Sequence, residues 1–74
     1  MTPVAATLRV HVNDTARTVP QGARLLSLLD EMALGGRLGL AVALNAAVVP
    51  RAHWADQKLQ EGDRILIIQA SQGG

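Results

Sequence analysis

From Thr7 to Asn13 the chain reads TLRVHVN, and apolar and polar residues alternate without a break. Leu8, Val10 and Val12 fall on one side; Arg9, His11 and Asn13 fall on the other. That period of two predicts a strand with one buried face. Asn13, Asp14 and Thr15 form a turn signal, because Asn and Asp tolerate left-handed backbone and bond their own main chain. ARTV, ending at Pro20, predicts a second strand, so the two make a hairpin. After Pro20-Gln21-Gly22 the period changes. Within ARLLSLLDEMAL, Leu25, Leu28, Leu29 and Met32 recur at helical spacing and form an amphipathic stripe, with Leu26 outside it. Gly35-Gly36 predicts the helix end. The start has no obvious cap, because Arg24 holds that position and its side chain cannot accept a backbone N–H bond.

The second half carries denser apolar runs. LAVALN (Leu40 to Asn45) predicts a strand apolar on both faces, followed by a tight turn at Ala46-Ala47 and a short returning strand at Val48-Val49. PRAHWADQKLQ is irregular or one short helical turn, since Pro50 cannot donate to a ladder. Glu61-Gly62-Asp63 is a turn. RILIIQA predicts the last strand, and its run Ile65 to Ile68, apolar on both faces, belongs in the middle of a sheet. The order β–β–α–β–β–β defines an α+β fold of β-grasp, ubiquitin-like type. It has a mixed sheet of four to five strands, one main helix on one face, and the last strand central beside the first. Residues 1–74 form a single domain, with 1–6 a loose extension and 70–74 a flexible tail. One helix cannot cover both faces of such a sheet. The uncovered face is expected to present an apolar patch, with Leu66 and Ile68 facing outward as partner-binding residues.

Composition narrows the chemistry. The 74 residues include one Trp, no Phe or Tyr and no Cys, so the core is aliphatic and no side-chain thiol carries sulfur. A net charge of +1 without a basic run or stacking aromatics argues against nucleic acid. No apolar stretch approaches the ~20 residues of a membrane span, and MTPVAATLRV does not read as a signal peptide. The expectation is a soluble cytoplasmic protein. No intrinsic catalytic, cofactor or metal site emerges. Ser27 and Ser71 lie outside any nucleophile elbow. His11 and His53 lack partners at ligand spacing. Asp30 and Glu31 diverge on the helix. GGRLG (Gly35 to Gly39) is a loop and not a phosphate cradle. Trp54 reads first as a lid on the small core and second as a partner contact.

What remains is the end of the chain, SQGG. Gly74 has no Cβ to shield its acyl carbon, and Gly73 adopts backbone angles closed to other residues. A carboxylate on such a tail suits an enzyme that admits it through a narrow channel. Directly after a central strand, the five residues from Ala70 to Gly74 reach at most ~17 Å from the body.

Several blocks occur together: Val12-Asn13-Asp14, Gly22 ahead of the Leu-Leu helix, ALN with VVPR and Trp54, EGDRILII at Glu61 to Ile68, and the closing Gly73-Gly74. In these the chain resembles the ThiS-type ubiquitin-like sulfur carriers of thiamine thiazole biosynthesis, from about Leu8 to Gly74. Arg24 departs from the family's helix-starting Thr, and the N-terminal extension exceeds what the family usually has. The resemblance implies a carrier and not an enzyme. An adenylating enzyme would use ATP to activate the Gly74 carboxylate. Sulfur, from a donor such as a cysteine desulfurase system, would replace AMP to give a thiocarboxylate. Thiazole synthase would then take that sulfur. Ser71, Gln72, Gly73 and Gly74, with Leu66 and Ile68, would bind partners. Two alternatives stay open: the small sulfur-carrying subunit of molybdopterin synthase, and a β-grasp binding module whose Gly-Gly is incidental.

Overall fold

The computed structural model describes residues 7–69. Strands β1 (Thr7–Val12) and β2 (Thr15–Pro20) form the expected hairpin, with Val12 opposite Thr15 and a two-residue turn between. Both turn residues are left-handed, Asn13 at φ 49° and Asp14 at φ 69°, as a primed turn requires. Helix α1 (Leu25–Glu31) crosses one face, followed by β3 (Leu40–Leu44), β4 (Ala47–Val48), a 3₁₀ turn (Arg51–His53) and β5 (Arg64–Gln69). The sheet order is β2-β1-β5-β3-β4. β5 is therefore central, parallel to β1 and antiparallel to β3. The sequence-based fold stands: a five-stranded mixed sheet with one helix on one face.

The core lies between α1 and the inner sheet face. Leu25, Leu28 and Leu29 pack on Leu8, Val10, Val12, Val19, Val42 and Ile65, and Trp54 is fully enclosed with them. Met32 and Leu26 line the edge of this cluster. Trp54 is thus a core residue. Its Nε1 donates to the Val49 carbonyl at 2.8 Å, and the Arg51 guanidinium stacks 4.5 Å from its ring centre. Arg51 also donates to the carbonyls of Gly35 and Arg37, tying down the loop after the helix.

Two local expectations need correction. The helix does not run to Gly35-Gly36. Met32 caps it and Ala33 takes the left-handed position at φ 63°. Leu34 N–H donates to Leu29 O, and Ala33 N–H to Asp30 O, the paired bonds of a Schellman end. The apolar Leu34 packs back on the core, so burial places the stop ahead of the glycines. Gly35 instead permits close approach: a Cβ there would lie 1.8 Å from the Asp30 carboxylate. The turn after β3 is also one residue earlier than expected, at Asn45 (φ 51°) and Ala46 (φ 73°), with the return strand at Ala47–Val48.

The uncapped start at Arg24 also has its physical account. Ser27 reaches back: its hydroxyl accepts from Arg24 N–H at 2.9 Å and donates to Arg24 O at 2.7 Å. The next two N–H groups find carbonyls of the long loop, Leu25 on Gln57 and Leu26 on Trp54. Tertiary structure thus satisfies donors that a cap would otherwise take.

Candidate docking face and the strand that leads to the C terminus

Because α1 covers only one side, the alternation of β5 separates two roles. Ile65 is buried and Ile67 half-buried against the core, whereas Leu66 and Ile68 point to the open side and are 49% and 55% exposed. The register extends this face. Ala43 lies opposite both Leu66 and Val48, making one apolar row across three strands; Ala41 lies opposite Ile68 and begins a second. Val48 is 74% exposed. The structure thus brings Leu66 and Ile68 onto one surface as expected and adds Ala41, Ala43 and Val48. On the β1 side the same face carries His11 and, opposite it on β5, Arg64. Ser71, Gln72, Gly73 and Gly74 lie outside the described residues.

Two asparagines hold β5 in place. Beyond Val12, strand β1 has turned away, and the Asn13 side chain takes over its pairing. Its Oδ1 accepts from Ile67 N–H at 2.8 Å, and its Nδ2 donates to Ile67 O at 3.2 Å. At the other turn, Asn45 Oδ1 accepts from Arg64 N–H at 2.9 Å, and Asn45 N–H donates to Arg64 O at 2.7 Å. Asn45 Nδ2 also donates to Asp63 Oδ1 at 2.9 Å, and the other carboxylate oxygen of Asp63 accepts from Gln60 N–H at 2.8 Å. That hydrogen bonding lets Asp63 be buried, since a carboxylate shielded from water needs partners. These clamps were not legible as site residues. The signal available was an Asn ending each of two strands, VN and LN, at positions suited to left-handed backbone.

Among the described residues no three His, Cys, Asp or Glu side chains converge to hold a metal. His11 and His53 stay apart, on β1 and in the 3₁₀ turn. No helix among these residues is long and apolar enough to cross a membrane. The arrangement offers a surface to hold and a strand to extend from it.

A mixed sheet with its last strand central and one helix on one face defines a β-grasp protein of the ubiquitin-like type. The ThiS family model matches residues 4–74, and the chain belongs to the ThiS family. It is 34% identical over 67 residues to the sulfur carrier protein ThiS of Escherichia coli (strain K12), covering 90% of this chain and 100% of that relative. Its fold matches the crystal structure of the thiamine biosynthesis protein ThiS from Geobacter metallireducens with a TM-score of 0.76. That alignment has 22% identity and spans 90% of this chain and 100% of the other.

Proposed function

We propose that this chain is a sulfur carrier of thiamine biosynthesis that works through its C-terminal glycines. An adenylating partner joins the Gly74 carboxylate to AMP, releasing pyrophosphate from ATP. A sulfur nucleophile supplied by a donor such as a cysteine desulfurase system displaces AMP and leaves a thiocarboxylate. Thiazole synthase consumes that sulfur and returns the carboxylate. The ATP belongs to the adenylating enzyme, and this chain binds no cofactor of its own. The observation that carries the reading is the family match running through residue 74, over a fold whose central strand leads to that end.

The test is intact mass spectrometry after incubation with ATP, the adenylating enzyme and a sulfide source. The expected gain is one oxygen exchanged for one sulfur, lost when Gly74 is deleted. No change beside an active partner would refute the carrier reading.

Docking of both enzymes uses the open face. Large exposed apolar side chains give no stability where they stand, and their contiguity is what protein contacts use. Leu66→Asp and Ile68→Asp should each weaken binding of the adenylating enzyme by about tenfold or more, because a buried unpaired carboxylate costs ~1.4 kcal/mol or more. Unaltered binding by both variants would remove the face from the reading.

A further inference from the structure

The open face is not uniformly apolar. At the start of β5 a pocket of about 180 Å³ is lined by His11, Asn13, Ala43, Arg64 and Leu66, with Asp14 at its rim. Ala43 and Leu66 make it continuous with the apolar rows. Asn13 is committed to Ile67, but Arg64 and His11 are poorly committed. Arg64 reaches Asp14 only at 4.0 Å, with both side chains largely in water, a pairing of little strength. His11 Nδ1 is shut off from solvent with no hydrogen-bond partner. An enclosed ring nitrogen without a partner is unfavourable, and the residue that carries it lines this pocket.

We infer that this pocket is a socket for a carboxylate side chain on the adenylating enzyme, taken up by Arg64 and His11 while the apolar rows pack beside it. The inference rests on the docking role of the open face and specifies the chemistry of its occupant. Charge complementarity selects an acid. The guanidinium supplies donors in a fork that matches a carboxylate, and the imidazole supplies a ring N–H. Among the described lining residues Asp14 is the one opposing charge, and an incoming carboxylate displaces the guanidinium from it. The pocket lies at the start of β5, five residues before Gln69 at its other end, about 17 Å away in an extended strand. An acid seated there holds the body of the carrier well away from where the chain leaves the sheet.

The test measures the affinity of the full chain for the adenylating enzyme by calorimetry at low and high salt. Arg64→Gln and His11→Gln should each weaken binding about tenfold, and Arg64→Gln should flatten its salt dependence. Asp14→Asn removes the competing charge while keeping a residue that tolerates φ 69°, so it should tighten binding several-fold. A purely structural role for these groups gives no such gain. Thermal melts check that each variant folds as the parent does. If Leu66→Asp abolishes binding while Arg64→Gln, His11→Gln and Asp14→Asn bind like the parent, the socket is refuted and the docking face survives. If Leu66→Asp and Ile68→Asp also bind normally, the docking face fails and the socket falls with it.

Discussion

Asn13 links the turn chemistry of the hairpin to the strand that leads to the C terminus, and removing its side chain separates two energies. Asn13→Ala deletes two hydrogen bonds to Ile67, at 2.8 and 3.2 Å, and places alanine at φ 49°. Each bond contributes about 0.5–1.5 kcal/mol net. Left-handed backbone adds about 1 kcal/mol for alanine over asparagine. The expected loss is therefore about 2–4 kcal/mol out of the roughly 4–11 kcal/mol typical of a domain this size. Asn13→Gly loses the same bonds but adopts the turn without strain. After the extra entropy of its unfolded chain, glycine should be about 0.5–1 kcal/mol milder than alanine. Urea unfolding followed by circular dichroism measures both values. Hydrogen exchange locates the effect: the Ile67 amide, whose acceptor is the lost Oδ1, should exchange faster than global destabilisation alone explains. The Val49 amide, bonded to Val42 O at 2.9 Å, serves as reference and should follow the global change. If Ile67 stays protected in both variants, the asparagine does not continue the ladder. If alanine and glycine are equally destabilising, the backbone term is wrong.

Other outcomes follow from the same structure. Ala33→Gly should stabilise the protein by about 0.5–1 kcal/mol, because glycine relieves the left-handed helix end at φ 63° and gives back part of the gain in unfolded-state entropy; thermal unfolding reads it directly. Trp54→Phe should destabilise by about 2 kcal/mol, since the Val49 carbonyl loses its buried donor and the ring contact with Arg51 shrinks; a change below ~0.5 kcal/mol would mean that the Nε1 bond contributes nothing net. Leu66→Asp should leave the unfolding free energy within about 0.5 kcal/mol of the parent while lowering partner affinity, as expected of a half-exposed residue outside the core.

Periodicity carried the architecture. Alternation in TLRVHVN and the stripe of Leu25, Leu28, Leu29 and Met32 depend only on which side of an element each residue lies, and those features appear where expected. The double-sided run Ile65 to Ile68 placed β5 at the centre and left Leu66 and Ile68 on the open face. Element ends were harder because distant residues decide them. The helix stops before Ala33, a poor left-handed residue, because Leu34 is drawn to the core. It starts at Arg24 because Ser27 and the carbonyls of Trp54 and Gln57 supply what the Arg24 side chain cannot. The amide clamps of Asn13 and Asn45 reach residues far along the chain, so local pattern showed only that each position suits a turn. His11 read as an ordinary strand residue; its unpartnered Nδ1 emerges only once β5 is laid beside β1.

The division of β5 into inward and outward residues explains how so small a domain keeps an exposed apolar surface without unfolding. Ile65 and Ile67 face the helix side, and their packing stabilises the sheet; Leu66 and Ile68 contribute little to folding because they remain in water. An apolar central strand would ordinarily be sealed on both sides. Here no second layer is present among the described residues, and backbone pairing rather than burial fixes the exposed half of the strand. β3 supplies that pairing along one edge through Leu40 to Leu44. The other edge has β1 only as far as Ile65, then the Asn13 side chain at Ile67. The open face is therefore held in place by polar bonds rather than by burial of its own side chains. Substitutions on that face and substitutions at its clamps should act on different observables, affinity for the first and local opening of β5 for the second. A single variant that shifted both equally would show that surface and scaffold are not separable in this strand.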